Sequence, residues 1–167
     1  ATGHARLRAL DPANARIVIV LSSFPTKHAR IGNAVGLDTP ASALALLERL
    51  RAAGYGVEHD FADGDELIHA LIAAGGHDHD FLTDEQLATA TGRLPVAEYE
   101  AWFATLPEQL RAAMIEKWGP PPGEWYVDGG DLVLAGLQLG NVFVAIQPPR
   151  GFGENPVAFY HDAELAP

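Results

Sequence analysis

The chain has no cysteine, which excludes disulfides and thiolate metal sites and fits a reducing, cytoplasmic location. It has no long hydrophobic run. The densest apolar stretch, Ile17 to Leu21, is far short of the roughly 20 residues that span a bilayer, so no membrane partner is expected. Basic residues are scarce: 11 Lys and Arg stand against 22 Asp and Glu, a formal net charge of −11. Without a basic patch of the kind that grips phosphates, a nucleic-acid partner is argued against. Internal repeats, low-complexity tracts, an initiator Met and a signal-peptide pattern are also missing.

What is present is enough for one domain over residues 1–167. The 48% hydrophobic content can build a core, and the 20% charged content keeps the exterior polar. RIVIVL, Arg16 to Leu21, reads as a strand buried on both faces. DTPASALALLERLRAAG follows as a helix, with Asp38 and Thr39 as cap candidates, Pro40 in its first turn, and Gly54 at its end. Gly54 to Glu58 reads as a second short strand, and DGDELIHALIAAGG as a second helix with Leu67, Ile68, Leu71 and Ile72 on one face. This alternation predicts an α/β fold with a largely parallel, Rossmann-like sheet.

Residues 83–119 read as a helical insertion of three segments: one capped by Thr83 with Gln86, one opened by Pro95, and one opened by Pro107 and stopped by Gly119. GPPPGEW then breaks the chain. LVLAGL and NVFVAIQ are two further strand candidates, separated by Gly140 and Asn141. The connection from Ser22 to Asp38 is the anomaly, because strand-to-helix links usually take about 2 to 6 residues. Binding is the expected reason, since ligands in open α/β sheets sit beyond the carboxyl ends of strands, where this loop departs.

That loop, SSFPTKHARIGNAVGLDTPAS (Ser22 to Ser42), resembles the family of the aerobic cobaltochelatase large subunit (CobN) and its magnesium chelatase relative. A second block agrees: GLQLGNVFVAIQPPRG (Gly136 to Gly151), followed by AFYHD (Ala158 to Asp162). The resemblance implies an internal piece of a much longer subunit, one that binds the corrinoid hydrogenobyrinic acid a,c-diamide and inserts Co²⁺ as its substrate metal. ATP and Mg²⁺ would be used by separate AAA+ ATPase subunits, in keeping with the lack of a G-x-x-x-x-G-K-[ST] loop here. The alternatives are a magnesium chelatase H-type subunit acting on protoporphyrin, or a non-catalytic domain that docks the ATPase subunits.

Lys27, Arg30 and Asn33 in the loop, with Asn141, Gln147 and Arg150 flanking the late strand, are the candidate substrate-binding residues. A guanidinium suits ring carboxylates and an Asn suits amides; solvated loop charges and structural support are the competing readings. Gly32 and Gly36 would permit positive φ or close approach. His161, in the YHD block, is the candidate metal residue, because imidazole suits Co²⁺ better than Mg²⁺. A structural hydrogen bond is the alternative for it. His77 to Asp80 (HDHD) offers a weaker surface metal site, His69 reads as half-buried packing, and His59 as a strand-end residue beside acids. Spacing alone locates no catalytic residue.

Overall fold

The computed structural model describes residues 2–22, 33–34, 36–75, 83–123 and 126–147. Helix α1 (Thr2–Ala9) and a 3-10 turn (Pro12–Asn14) lead into strand β1 (Ile17–Leu21). A two-residue ladder, β2 (Asn33–Ala34) with β3 (Leu37–Asp38), precedes helix α2 (Thr39–Ala52), and α3 (Gly64–Ala73) follows. Then come α4 (Asp84–Thr89), β4 (Gly92–Pro95), α5 (Val96–Ala104) and α6 (Glu108–Trp118). Strands β5 (Val127–Asp128), β6 (Asp131–Leu134), β7 (Gly136–Leu139) and β8 (Val142–Ile146) close the described chain.

The central sheet has the order β1-β8-β7. β1 runs parallel to β8, pairing Ile17 with Val142 and Leu21 with Ile146, whereas β7 and β8 form an antiparallel hairpin. The α/β expectation therefore stands, but the sheet is mixed and not largely parallel. A tight turn at Gly140 and Asn141 returns the chain directly, so this pair needs no crossover helix.

Helices α2 and α3 cover one face of that sheet. Asp38 caps α2, its Oδ1 accepting from the Ala41 amide at 3.0 Å, and the helix turns Thr39, Ala43 and Leu47 inward at a four-residue spacing. Asp63 caps α3 in the same way. Leu47, Leu67, Leu71, Val142 and Val144 are fully buried, forming a core with Leu21, Val57, Leu139 and Ile146. Ile72 departs from its expected place and is exposed, because only Leu67 and Leu71 lie squarely on the packed stripe with Ile68 at its border.

Three further expectations change. β1 is buried on one face only: Val18 and Val20 are 65% and 56% exposed, since α2 and α3 cover just the side that Leu21 shares. Gly54 to Glu58 forms no ladder: Gly54 lies in the turn after α2 with φ +88°, and the stretch meets the β7–β8 turn through Asn141 N–H donating to Gly56 O at 2.6 Å. LVLAGL is not one strand. Its first half, in β6, pairs with β4 and β5 in an antiparallel sheet of order β4-β6-β5, while its second half is β7.

The stretch 83–119 thus contains strand β4 as well as its three helices. The two sheets meet at Phe143, whose ring lies where side chains on Gly92 and Gly136 would be. A Cβ at Gly92 would stand 2.5 Å from Phe143 Cζ, and one at Gly136 would stand 2.5 Å from Val144 O. Arg93 pins the second sheet, donating to Leu87 O at 2.6 Å and to Asp128 Oδ2 at 2.8 Å.

Candidate functional site at the carboxyl ends of β1 and β8

β1 and β8 are hydrogen-bonded neighbours pointing the same way, so the segments that leave them start side by side. The Gln147 amide donates to Leu21 O at 2.8 Å, which fixes the two exits at one edge of the sheet. From β1 departs the connection beginning at Ser22, and from β8 the segment beginning at Gln147. The first motif block and the end of the second, from Gln147 onward, therefore start from one place. Leu21 and Ile146 are buried beneath it and Gln147 is half-buried, so the floor is apolar and its rim polar.

The first block returns through the β2–β3 ladder into α2. Asn33 pairs with Asp38 and Ala34 with Leu37, across a turn in which Gly36 adopts φ +76°, one of the two roles its lack of a side chain permits. The ladder shortens what the sequence presented as one long loop. Two-residue strands carry too little pattern to be read from it. Asp38 holds the α2 cap, while the buried Thr39 hydroxyl makes no hydrogen bond, so the capping falls to Asp38 alone.

The structure divides the candidate residues. Gln147 stands at the carboxyl end of β8, and Asn33 has its backbone in β2. Asn141 lies at the opposite, amino end of β8, where its Nδ2 donates to Ala13 O at 2.7 Å and its carbonyl accepts from the Ile17 amide at 3.0 Å. It is tied into the scaffold there. Lys27, Arg30, Gly32, Arg150, His161 and the His77 to Asp80 group lie outside the described residues.

Two histidines differ from expectation. His69 is exposed rather than half-buried. The His59 side chain is only 1% exposed, stacked on Phe61 with ring centroids 5.4 Å apart, and its Nε2 stands 3.3 Å from Glu48 Oε1. That contact is close enough for an ion pair but not aligned for a hydrogen bond, so both ring nitrogens are left without a hydrogen bond. Burial, then the neighbouring Arg51 charge, push its pKa below the usual value against the pull of Glu48 and Asp60. The shift favours the neutral imidazole, which packs on Phe61.

Two clefts open elsewhere. One of about 140 Å³ is lined by Tyr99, Phe103, Met114, Trp118 and the Pro120 to Pro122 run. The other, about 370 Å³, lies at the amino end of β1 and β8 and includes Arg16, Val18, Gln138 and Phe143. Among the described residues no group of three or more His, Cys, Asp or Glu could hold a metal ion, and no helix is long and apolar enough to cross a membrane.

A family profile described as CobN/Magnesium Chelatase matches residues 1–167. The aerobic cobaltochelatase subunit CobN of Pseudomonas aeruginosa is 43% identical over 155 residues, which cover 93% of this chain and 12% of that protein. The H subunit of the magnesium chelatase of Rhodobacter capsulatus is 31% identical over 163 residues, covering 98% of this chain and 13% of that protein. A solved structure, the catalytic subunit of cobaltochelatase from Mycobacterium tuberculosis, superposes with a TM-score of 0.74 at 48% identity, covering 97% of this chain and 13% of that one. The chain spans about an eighth of the length of these relatives.

Proposed function

The chain belongs to the CobN/magnesium chelatase family, and on that premise we propose that it is part of a longer chelatase subunit and supplies one wall of its tetrapyrrole site. In this reading the wall is the carboxyl edge of β1 and β8, the substrate is hydrogenobyrinic acid a,c-diamide, and the metal inserted is Co²⁺. The carrying observation is that the first motif block and the end of the second leave adjacent parallel strands at the same end, joined by the Gln147 to Leu21 hydrogen bond. ATP would be hydrolysed on Mg²⁺ by AAA+ partner subunits.

Lys27 and Arg30 would meet ring carboxylates, Asn33 and Gln147 the amides, and Arg150 a further carboxylate from the β8 side. Insertion also requires loss of two pyrrole-type N–H protons, for which this chain's described residues offer no assigned base. Cobalt is favoured over magnesium by the higher identity to the cobalt proteins, 34% to 48% against 29% to 31%. Equilibrium binding to the full-length subunit tests the reading: tighter binding of the corrinoid than of protoporphyrin IX supports it. The reverse order carries the magnesium alternative, and affinity for the ATPase subunits alone makes this a docking domain.

His161 gives a second, kinetic test. If its imidazole receives the metal, His161→Ala in the full-length enzyme slows insertion across a cobalt titration while corrinoid affinity stays unchanged. Superimposable curves for the two enzymes would remove His161 from metal handling.

A further inference from the structure

One face of the central sheet is open along β1 among the described residues. Val18 and Val20 project from β1 at 65% and 56% exposure, on the side opposite α2 and α3. Their partners across the ladder are Phe143 and Ala145, so the exposed valines extend an apolar strip continuous with the half-buried residues of β8. An antiparallel sheet can leave one face to water, but apolar Val18 and Val20 are the residues of a covered face. Here the second sheet reaches this face at Phe143, and among the described residues Val18 and Val20 are left exposed beside it.

The strip has a polar end. At the amino edge of β1, the Arg16 side chain is exposed and makes no hydrogen bond or ion pair among the described residues, and it borders the 370 Å³ cleft with Val18, Gln138 and Phe143. Gln138 Nε2 is already occupied by Gly140 O at 2.6 Å, whereas the Arg16 guanidinium has no partner among the described residues. A segment that fits must be apolar along Val18 and Val20 and must bring an acidic group to Arg16.

We propose that this face is covered by a further segment of the same long subunit, apolar over Val18 and Val20, with a carboxylate paired to Arg16. This rests on the reading of the chain as part of such a subunit, for which its relatives leave about seven eighths of their length available. A second copy as occupant is the outcome that dilution separates.

The test is thiol labelling of Val18→Cys in the full-length subunit with a water-soluble maleimide, read by peptide mapping at residue 18. The native subunit should label at least about tenfold more slowly than the same subunit in denaturant, since covered positions react only on opening. That protection should survive dilution, and adding Arg16→Glu should speed labelling. Labelling of the native subunit near the denatured rate, protection lost on dilution, or a rate unmoved by Arg16→Glu overturns the proposal. Ring binding measured on the unlabelled subunit keeps the two readings apart: free labelling in a subunit that binds the corrinoid sinks only the interface.

Discussion

At the scale of single residues, His59 couples burial to pH. Its folded pKa is held below the ordinary value of 6.5 by burial first and Arg51 second, so the unfolded chain binds a proton more readily than the folded one. Its contribution is complete above about pH 6.5 and is lost as pH falls through the depressed folded value. Melting temperature followed from pH 7.5 to pH 5 should drop less steeply for His59→Gln than for the parent chain; equal slopes would mean that His59 titrates alike in both states. Gly136 illustrates a different constraint, that of backbone approach. Gly136→Ala would place Cβ 2.5 Å from Val144 O and 2.7 Å from Phe143 Cζ, and should cost about 1–3 kcal/mol in urea unfolding. An unchanged midpoint would show that the β7–β8 hairpin can spread.

At the scale of elements, α2 is the helix whose form and packing agree most closely. Leu47 is fully buried whereas its neighbour Leu46 is 45% exposed, so Leu47→Ala should cost about 2–5 kcal/mol and Leu46→Ala within about 0.5 kcal/mol. Comparable losses at both positions would contradict the packing of this helix on the sheet. α2 was also the most legible element, because Asp38, Pro40, the leucine spacing and Gly54 all point to one answer. β1 and β8 were legible as strands for their apolar runs. The pairing of β8 with β7 was not, since antiparallel and parallel partners both accept Val and Ile at these positions. β4 carries little sequence signal because Gly92 and Pro95 are poor strand residues, and the pairing with β6 overrides that preference. Arg93 was equally invisible: its partners Leu87, Asp128 and Asp131 converge only when the second sheet forms. For the candidate site, sequence placed Gln147 at a strand end but could not separate it from Asn141, which flanks the other end of the same five-residue strand.

At the scale of the whole molecule, the α2–α3 face of the sheet builds the core, while the proposed reading would give the carboxyl edge of β1 and β8 to the tetrapyrrole and the exposed part of β1 to contacts within a longer subunit. The most direct measurement is corrinoid affinity of the full-length subunit carrying Arg30→Ala, Gln147→Ala or Asn141→Ala, with melting temperature recorded for each. Loss of one charge-assisted contact at Arg30 should weaken binding about ten- to a hundredfold with little change in melting. Gln147→Ala should weaken it by less, about three- to tenfold, as a neutral hydrogen bond does. Asn141→Ala, which releases the bond to Ala13 O, should lower the melting temperature and leave affinity as it was. Affinity lost at Asn141 but retained at Arg30 and Gln147 would place the ring at the other end of the sheet and contradict the account.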